Sequence, residues 1–253
     1  MDVISLSLLI LSSTVIGILI GGVGIGGVLL VPILTYVLKI DIHVAIATAI
    51  LSYVVSGAIG TWVFARKGSI KWNMTFCLFM GAAPGAFLGA FLTSLFSSTG
   101  LEIFIAFLIM FAGINSLLKP KKIAFQDKIL ASSSLIVIGF ITGVGSALSG
   151  TGGPLILVPI LVWLRVAPLQ AVGLSQVIQI PIAILATAGN YLHGTVDFIN
   201  GTIIAVSMAT GVFFGARGAH LLTQNQLGQI VAWILLGVGI FIIVRAFLQY
   251  NFI

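Results

Sequence analysis

Two glycine-rich stretches contain the residues of this chain that are best suited to binding a ligand. The first has five glycines within residues 21–27, and the second, 143–153, mixes glycine with serine and threonine. Backbone N–H groups and hydroxyls are hydrogen-bond donors, and unpaired N–H groups at a helix start attract anions. Each stretch leads directly into an apolar run, so the pattern indicates two helix starts that face one anion. We expect these residues to contribute: Gly24, Gly26, Gly27, Ser149, Gly150, Thr151, Gly152 and Gly153.

Close helix packing is the alternative explanation for glycines in a membrane, where small residues let helices approach each other. We assign packing to Gly17 and Gly139, which are separated from other glycines. Five glycines within seven residues, repeated in the second half, exceed what a packing face requires. We therefore favour ligand binding for the two dense stretches. Pro154 supports a helix start after the second, because proline is favoured in the first helical turn.

Polar side chains in the apolar segments that follow are further candidates for binding. Gln176 and Gln179 share a helix face, and Thr48 and Ser52 lie four residues apart. Asn190 lies further along the segment of the glutamines. Neutral donors of this kind suit an oxyanion that must also leave. The alternative is that the amides join helices and that the hydroxyls bond their own helix.

No catalytic or metal-binding set accompanies these residues in the sequence. Asp and Glu occur only in terminal or loop positions or at the start of a segment, and the only cysteine is Cys77. An enzyme would need a nucleophile or an acid–base pair at one depth, and a metal site would need Asp, Glu or Cys ligands. We predict that the chain is not an enzyme and holds no cofactor or metal. A channel, a metal-ion transporter and a structural subunit are the competing hypotheses.

Composition determines the environment of these residues. The 253 residues are 60% hydrophobic and only 6% charged, with a mean hydropathy of +1.28. A helix needs about 20 apolar residues to cross a bilayer, and such segments fill most of the chain. The 11 basic residues outnumber 5 acidic ones, which is typical of cytoplasmic loops in membrane proteins rather than of nucleic-acid binding. The sequence therefore predicts a protein embedded in the lipid bilayer.

The second half of the chain repeats the first. Pro32 and its two following residues match Pro159 and its two followers at an offset of 127, and Gly85 matches Gly211 at an offset of 126. Agreement at several positions indicates a duplication. We divide the chain into a first transmembrane repeat, 1–120, a basic cytoplasmic linker, 121–128, and a second transmembrane repeat, 129–253.

The length of the first apolar segment determines the predicted topology. Residues 3–38 would form a helix of about 54 Å, which is too long for one ordinary span. If the glycines make a hairpin, three spans follow in each half and the second repeat is inverted. Nine of the 11 basic residues then lie inside, against eight if each broken segment crosses once. We predict an all-α polytopic membrane protein with both termini outside and two inverted-topology repeats, each a Gly-broken helical hairpin followed by three transmembrane helices.

Several motifs resemble those of the TauE/SafE family of bacterial membrane proteins. They are the paired glycine stretches with following prolines, the loop 68–70 with its counterpart 194–196, and the stretches 84–89 and 215–217. The resemblance covers essentially the whole chain. Its glycine motifs correspond here to Gly24, Gly26 and Gly27 with Pro32, and to Gly150, Gly152 and Gly153 with Pro159. The second stretch has one more residue before its proline, so the halves are not perfectly symmetric.

The resemblance implies a multi-pass protein of the bacterial plasma membrane that exports small sulfur-containing anions, such as sulfite or organosulfonates. Export of an anion is favoured by an inside-negative potential, by about 2.3 kcal/mol per charge per 100 mV. We therefore expect a secondary transporter or facilitator whose partner is a small-molecule anion, without nucleic acid. Transport of another small anion or of a metal ion is the alternative. The sequence is compatible with a homodimer but identifies no interface.

Overall fold

The computed structural model describes residues 3–24, 26–117, 130–192 and 196–219, together with positions 233, 236, 237, 240 and 244. Over these residues the chain is helical, without strands. The helices are α1 (Val3–Val23), α2 (Gly26–Val37), α3 (Ile42–Arg66), α4 (Trp72–Thr93), α5 (Ser98–Leu117), α6 (Ser132–Ser149), α7 (Pro154–Trp163), α8 (Pro168–Tyr191) and α9 (Phe198–Gly218). The predicted linker 121–128 lies outside the described residues, as does most of the predicted last span.

Six of these helices, α1, α3, α4, α6, α8 and α9, are long and apolar enough to cross a membrane. The prediction of an all-α polytopic membrane protein is confirmed. The shorter α2 and α7 follow the two glycine-rich stretches. α2 is irregular, since it opens with a 3₁₀ turn and closes with a π turn, Ile33–Val37, after Pro32. A proline removes a backbone donor from a helix, which favours such local rearrangement.

Each of the long helices that precede the short ones is followed by a glycine with a positive φ. α1 ends at Val23, and the next residue, Gly24, has a φ of +81°. α6 ends at Ser149, and Gly150 follows with a φ of +66° in the left-handed region that glycine adopts at low cost. Pro154 then starts α7 at a position where its missing N–H costs nothing.

The directions of the helices follow from their contacts. The Thr14 hydroxyl on α1 lies 3.3 Å from the Ser207 carbonyl on α9, and a Cβ at Gly21 would lie 2.7 Å from the Ala216 N. Higher numbers on α1 thus meet higher numbers on α9, and the two helices are parallel. α3 is also parallel to α9, because it contacts Asp197 near its start and Phe213 near its end. α1 and α3 therefore begin at the same end of the bundle, so α1 and α2 form a hairpin.

The second half has the opposite direction. α6 is parallel to α4, since Gly81 contacts Ile136 and Gly89 contacts Val144. α4 follows α3 after a short loop and returns across the bundle, so α6 begins at the end where α3 finishes. α8 is antiparallel to α3, because Gln179 contacts Ser56 whereas Gly173 contacts Phe64. These are the directions that inverted repeats require, and the repeat relation itself stays a prediction.

Glycines allow the two closest helix pairs to form. On α1 and α9, and again on α4 and α6, a Cβ at each glycine of the interface would meet the backbone of the partner helix. The interface glycines are Gly17, Gly21, Gly211 and Gly215 in the first pair, and Gly81, Gly85, Gly89, Gly139 and Gly143 in the second. Gly17 and Gly139 thus have the packing role that we expected. Gly21 and Gly143 belong to the dense stretches but also pack, so only the later part of each stretch is left for binding.

Candidate functional site

Tyr53, in the middle of α3, joins the two glycine-rich stretches. Its hydroxyl lies 2.8 Å from the carbonyl oxygen of Gly27 and 3.1 Å from that of Gly150. The side chain is fully buried, and a Cβ at Gly152 would lie 2.6 Å from the ring. One side chain thus holds the starts of both return segments. Our sequence analysis did not select Tyr53, although a buried tyrosine hydroxyl in an apolar span needs a partner.

The two stretches also pack on each other and on equivalent residues of the opposite half. A Cβ at Gly27 would lie 2.9 Å from the Thr151 carbonyl oxygen. The crossed contacts are those of Gly24 with Val158 and Val172, and of Gly150 with Val31 and Ile46. Val158 stands 127 positions after Val31, and Val172 stands 126 after Ile46. These are the offsets of the sequence repeat, so the two stretches occupy corresponding surroundings.

Backbone donors are available where α7 begins. The N–H groups of Ile156 and Leu157 donate to the Gly153 carbonyl, and Pro154 has no N–H. In the part of the chain that the structure describes, the N–H groups of Gly152, Gly153 and Leu155 have no acceptor. Gly152 and Gly153 have φ values of +75° and +116°. Successive N–H groups in such turns form concave sites that attract anions.

Two hydroxyls that the sequence analysis missed lie beside this helix start. Thr142 and Ser146 are four residues apart on α6 and fully buried, and among the described residues neither hydroxyl has a partner. A Cβ at Gly153 would lie 3.9 Å from the Thr142 methyl carbon and 4.0 Å from the Ser146 hydroxyl oxygen. Their spacing on one helix face just before the glycines is the signal that could have identified them.

The hydroxyls of Ser149 and Thr151, which we did select, are hydrogen-bonded to each other. Ser149 donates to the Gly145 carbonyl at 2.6 Å, and the two hydroxyl oxygens are 3.0 Å apart. Because a hydroxyl has one proton, Thr151 is the donor of the bond between them. Both protons are therefore engaged, and these side chains stabilise the turn between α6 and α7.

Gln176 and Gln179 present acceptors rather than the donors that we expected. The Gln176 amide nitrogen donates to the Ile20 carbonyl at 3.0 Å, and that of Gln179 donates to the Ser56 hydroxyl at 2.9 Å. Ser56 itself donates to the Tyr53 carbonyl. Both glutamines are fully buried, and within the described residues their Oε1 atoms have no partner.

The other predicted binding residues lie within the helix bundle. Thr48 accepts a hydrogen bond from the N–H of Asp197 at 3.2 Å, and Ser52 donates to the Ala49 carbonyl at 2.6 Å. The Ser52 bond lies within its own helix, as in the alternative that we gave, whereas the Thr48 bond joins α3 to the start of α9. Asn190 is buried near the end of α8, about three helical turns beyond Gln179. The structure does not bring these three residues to the start of α7.

The bundle carries positive charge at the end where α3 and α9 finish. The guanidinium of Arg66 lies 4.2 Å above the Trp62 ring, and that of Arg217 lies 4.0 Å above the Phe213 ring. The two rings are stacked with centroids 6.2 Å apart. Cation–π contacts of this kind hold arginine side chains at an interface while their charge stays near water. The positive-inside rule predicts that this end is cytoplasmic.

Among the described residues, no three His, Cys, Asp or Glu side chains come close enough together to hold a metal ion. The His43 Nδ1 lies 3.3 Å from the Asp41 carboxylate, at the end where α3 begins. The His43 Nε2 also lies 3.1 Å from the Phe96 carbonyl. Asp41 is exposed and His43 is partly buried, and both lie at the start of α3.

Comparison with known proteins places this architecture in a family. The model of the sulfite exporter TauE/SafE family matches residues 9–242. The chain is 27% identical over 227 residues to "Probable membrane transporter protein YdhB" of Bacillus subtilis, which covers 87% of this chain and 93% of that protein. It is 26% identical over 258 residues to a "Probable membrane transporter protein" of Xylella fastidiosa, covering 97% and 98%.

No solved structure gives a significant match to the chain. The relatives are named as transporters without a substrate, whereas the family description names sulfite export. The family and the six apolar helices together identify a multi-pass protein of the bacterial plasma membrane. The chain belongs to the TauE/SafE family of membrane transporters.

Proposed function

We propose that this chain exports small sulfur-containing oxyanions, such as sulfite or organosulfonates, and binds them between the two glycine-rich stretches. The observation that carries the proposal is the set of donors at the start of α7. Three N–H groups, those of Gly152, Gly153 and Leu155, lie there near the side chains of Thr142 and Ser146. All five lack an acceptor among the described residues, and an oxyanion supplies several acceptors at once.

The energetics favour an anion over a neutral ligand at this place. A hydrogen bond to a charged group contributes about 1.5–3 kcal/mol, roughly twice the value for a neutral pair. The positive end of the α7 dipole adds to this attraction. Since the donors are neutral, they bind an anion less tightly than a buried cation would. This suits a solute that must be released.

Transport requires the two stretches to separate, because they pack directly on each other here. We infer that the halves are inverted repeats that move against each other, and that Tyr53 holds the closed arrangement through the Gly27 and Gly150 carbonyls. The opposite directions of the two halves and the crossed glycine contacts support this inference. Inverted repeats with a central site give alternating access in many transporters.

The direction of transport follows from the charge of the solute. An inside-negative potential drives an anion outward by about 2.3 kcal/mol per charge per 100 mV. The arginines at the predicted cytoplasmic end, Arg66 and Arg217, attract anions to that face. Export therefore needs no ion gradient, whereas uptake would.

Anion flux into proteoliposomes tests this proposal. The purified protein is reconstituted, and the entry of sulfite, ethanesulfonate, chloride and phosphate is measured with an imposed potential. We expect sulfite or ethanesulfonate to enter faster than through protein-free vesicles, and we expect replacement of Thr142 or Ser146 by alanine to slow entry. Thr93→Ala is the matched control, because the Thr93 hydroxyl is buried but bonds the carbonyl of Gly89 in its own helix. Transport of chloride or phosphate alone would overturn the sulfur substrate and support another small anion.

A further inference from the structure

We propose that Gln176 and Gln179 form an acceptor site for a hydrogen-bond-donating or cationic group that binds beside the anion. The proposal rests on the anion transport proposed above and adds the second chemical group that the site recognises. Two side-chain carbonyl oxygens define it, three residues apart on one face of α8. These oxygens accept hydrogen bonds, whereas the groups at the start of α7 donate them.

The orientation of the Gln179 amide is determined by its partner. The Ser56 hydroxyl gives its single proton to the Tyr53 carbonyl, with an oxygen–oxygen distance of 3.3 Å. With its proton on that carbonyl, Ser56 accepts from the Gln179 NH₂ at 2.9 Å. The carbonyl oxygen of Gln179 is left without a donor within the described part of the chain.

Gln176 is oriented in the same way. Its NH₂ donates to the Ile20 carbonyl at 3.0 Å, which is an acceptor only. Its carbonyl oxygen occupies the space beside Gly60, where a Cβ would collide with it. Like that of Gln179, this oxygen is fully buried and has no donor among the described residues.

Both amides are adjacent to the glycine-rich stretches. The Ile20 carbonyl that binds Gln176 also accepts the N–H of Gly24 at 2.9 Å. Gln179 is linked through Ser56 to Tyr53, the residue that bonds both stretches. Ile182, one turn after Gln179, has its Cδ1 at 3.1 Å from the position of a Cβ on Gly153. Each amide is therefore joined to a glycine-rich stretch or to the residue that holds both, and we infer that a ligand between the stretches reaches the carbonyl oxygens.

Buried acceptors of this kind are rarely left unpaired in a folded protein. A carbonyl oxygen repels an anion and attracts an N–H, an O–H or a cation. Two sources could supply such a group: the substrate itself, as in an amino- or hydroxyalkanesulfonate, or a sodium ion bound with the anion, since carbonyl oxygens coordinate sodium in other transporters. Both sources present a positively polarised group to the carbonyl oxygens, and transport assays distinguish them.

The experiment compares three sulfonates in proteoliposomes: ethanesulfonate, hydroxyethanesulfonate and aminoethanesulfonate. Each is measured with sodium and with N-methylglucamine as the cation. A donor on the substrate predicts that the amino or hydroxy compound is favoured over ethanesulfonate by about three- to tenfold, the range of one hydrogen bond. A sodium ion predicts instead that sodium accelerates all three. In both cases Gln176→Leu and Gln179→Leu remove the effect.

Two control variants separate recognition from folding. Ser56→Ala removes the partner of the Gln179 NH₂ but leaves its carbonyl oxygen, so the substrate preference or sodium effect should persist. Gln170→Leu changes a partly exposed glutamine near the start of α8 and should leave transport unchanged. Because the measured quantity is a ratio between substrates or cations, a lower amount of folded protein does not alter it.

The inference fails if the wild type moves all three sulfonates equally and without a sodium effect, since the oxygens would then be occupied by fixed water while the proposed anion transport stands. If no sulfonate moves, thermal stability decides the inference; the proposed function fails as well only if sulfite does not move either. Sodium chloride or aminoethanesulfonate should then raise the melting temperature of the purified protein but not that of Gln179→Leu. Equal melting temperatures with and without these solutes overturn it.

Discussion

Tyr53 and Gln179 lie at matching positions of the predicted repeat, 126 residues apart, and their polar atoms differ in what they bind. The Tyr53 hydroxyl bonds one carbonyl from each glycine-rich stretch. The Gln179 NH₂ bonds Ser56, and its carbonyl oxygen has no donor among the described residues. At these two positions of the predicted repeat, one side chain joins both glycine-rich stretches, and the other keeps a carbonyl oxygen that we propose binds a ligand.

The two glycine-rich stretches also have similar packing but different polar neighbours. Each contacts residues of the opposite half at the repeat offsets, so their packing is matched. The second stretch lies beside Thr142 and Ser146, whose hydroxyls have no partner in the described residues. The corresponding positions of α1, 126 residues earlier, are Ile16 and Ile20, which have no hydroxyl. The second stretch is therefore the one that we expect to contact the anion most strongly.

The largest effect is expected from Gly152→Ala, which tests whether the second stretch must approach Tyr53 closely. A Cβ there would lie 2.6 Å from the ring, at a backbone φ of +75°. We expect loss of transport and a destabilisation of more than about 2 kcal/mol, because strain in this region alone costs about 1–2 kcal/mol. Thermal denaturation and flux measure both effects.

Gly68→Ala is the matched control for this variant. Gly68 has a φ of +68°, but no atom lies within 4 Å of its Cβ position. It carries the same backbone strain without the steric contact, so its melting temperature should fall less. Equal losses in the two variants would show that contact with Tyr53 is unimportant.

A smaller effect, on affinity, is expected from Thr142→Ala and Ser146→Ala. Each variant removes a donor to the anion, so we expect KM to rise by about tenfold, which corresponds to about 1.4 kcal/mol. Stability should change little, because these hydroxyls have no protein partner in the described residues. Flux at varied sulfite concentration gives KM. An unchanged KM in both variants would move the anion away from the second stretch.

Tyr53→Phe removes the bonds to both stretches and keeps the ring. Two buried carbonyls lose a donor, and we expect a destabilisation of about 1–3 kcal/mol. Gln179→Leu, at the equivalent position, loses only the bond to Ser56 and should cost about 1 kcal/mol. Melting temperatures of the two variants compare the halves directly. A larger loss for Gln179→Leu would reverse the roles that we assign to them.

The smallest effect is expected from Ser149→Ala. Its hydroxyl bonds Gly145 and Thr151 within the turn, so the variant should lower stability by about 0.5–1.5 kcal/mol and leave KM unchanged. Thermal denaturation and concentration-dependent flux provide the readouts. A rise in KM as large as that of Ser146→Ala would restore Ser149 to the binding site.

Sequence predicted the helical membrane class and the positions of the glycines at the helix ends, because span length and glycine density are local properties. It did not predict which hydroxyls are engaged. Ser149 and Thr151 bond each other across the turn, whereas the hydroxyls of Thr142 and Ser146 have no partner among the described residues, and this depends on how the turn folds. Spacing alone does not distinguish the two pairs.

For a similar reason, the sequence does not predict which atom of each glutamine amide is left without a partner. Whether an amide offers its NH₂ or its oxygen depends on the partners that other helices supply. Here Ile20 comes from α1 and Ser56 from α3, and both take the NH₂. Tyr53 was missed because its partners, the carbonyls of Gly27 and Gly150, are brought together only by the crossing of the two return segments.

The location of a bound anion tests the central claim most directly. The purified protein is crystallised with selenite, an analogue of sulfite whose selenium is located by anomalous scattering. We predict a selenium peak at the start of α7, with oxygens within hydrogen-bond distance of the Gly153 N–H and the Ser146 hydroxyl. A peak confined to the arginines Arg66 and Arg217, with none beside the glycine-rich stretches, would contradict the account.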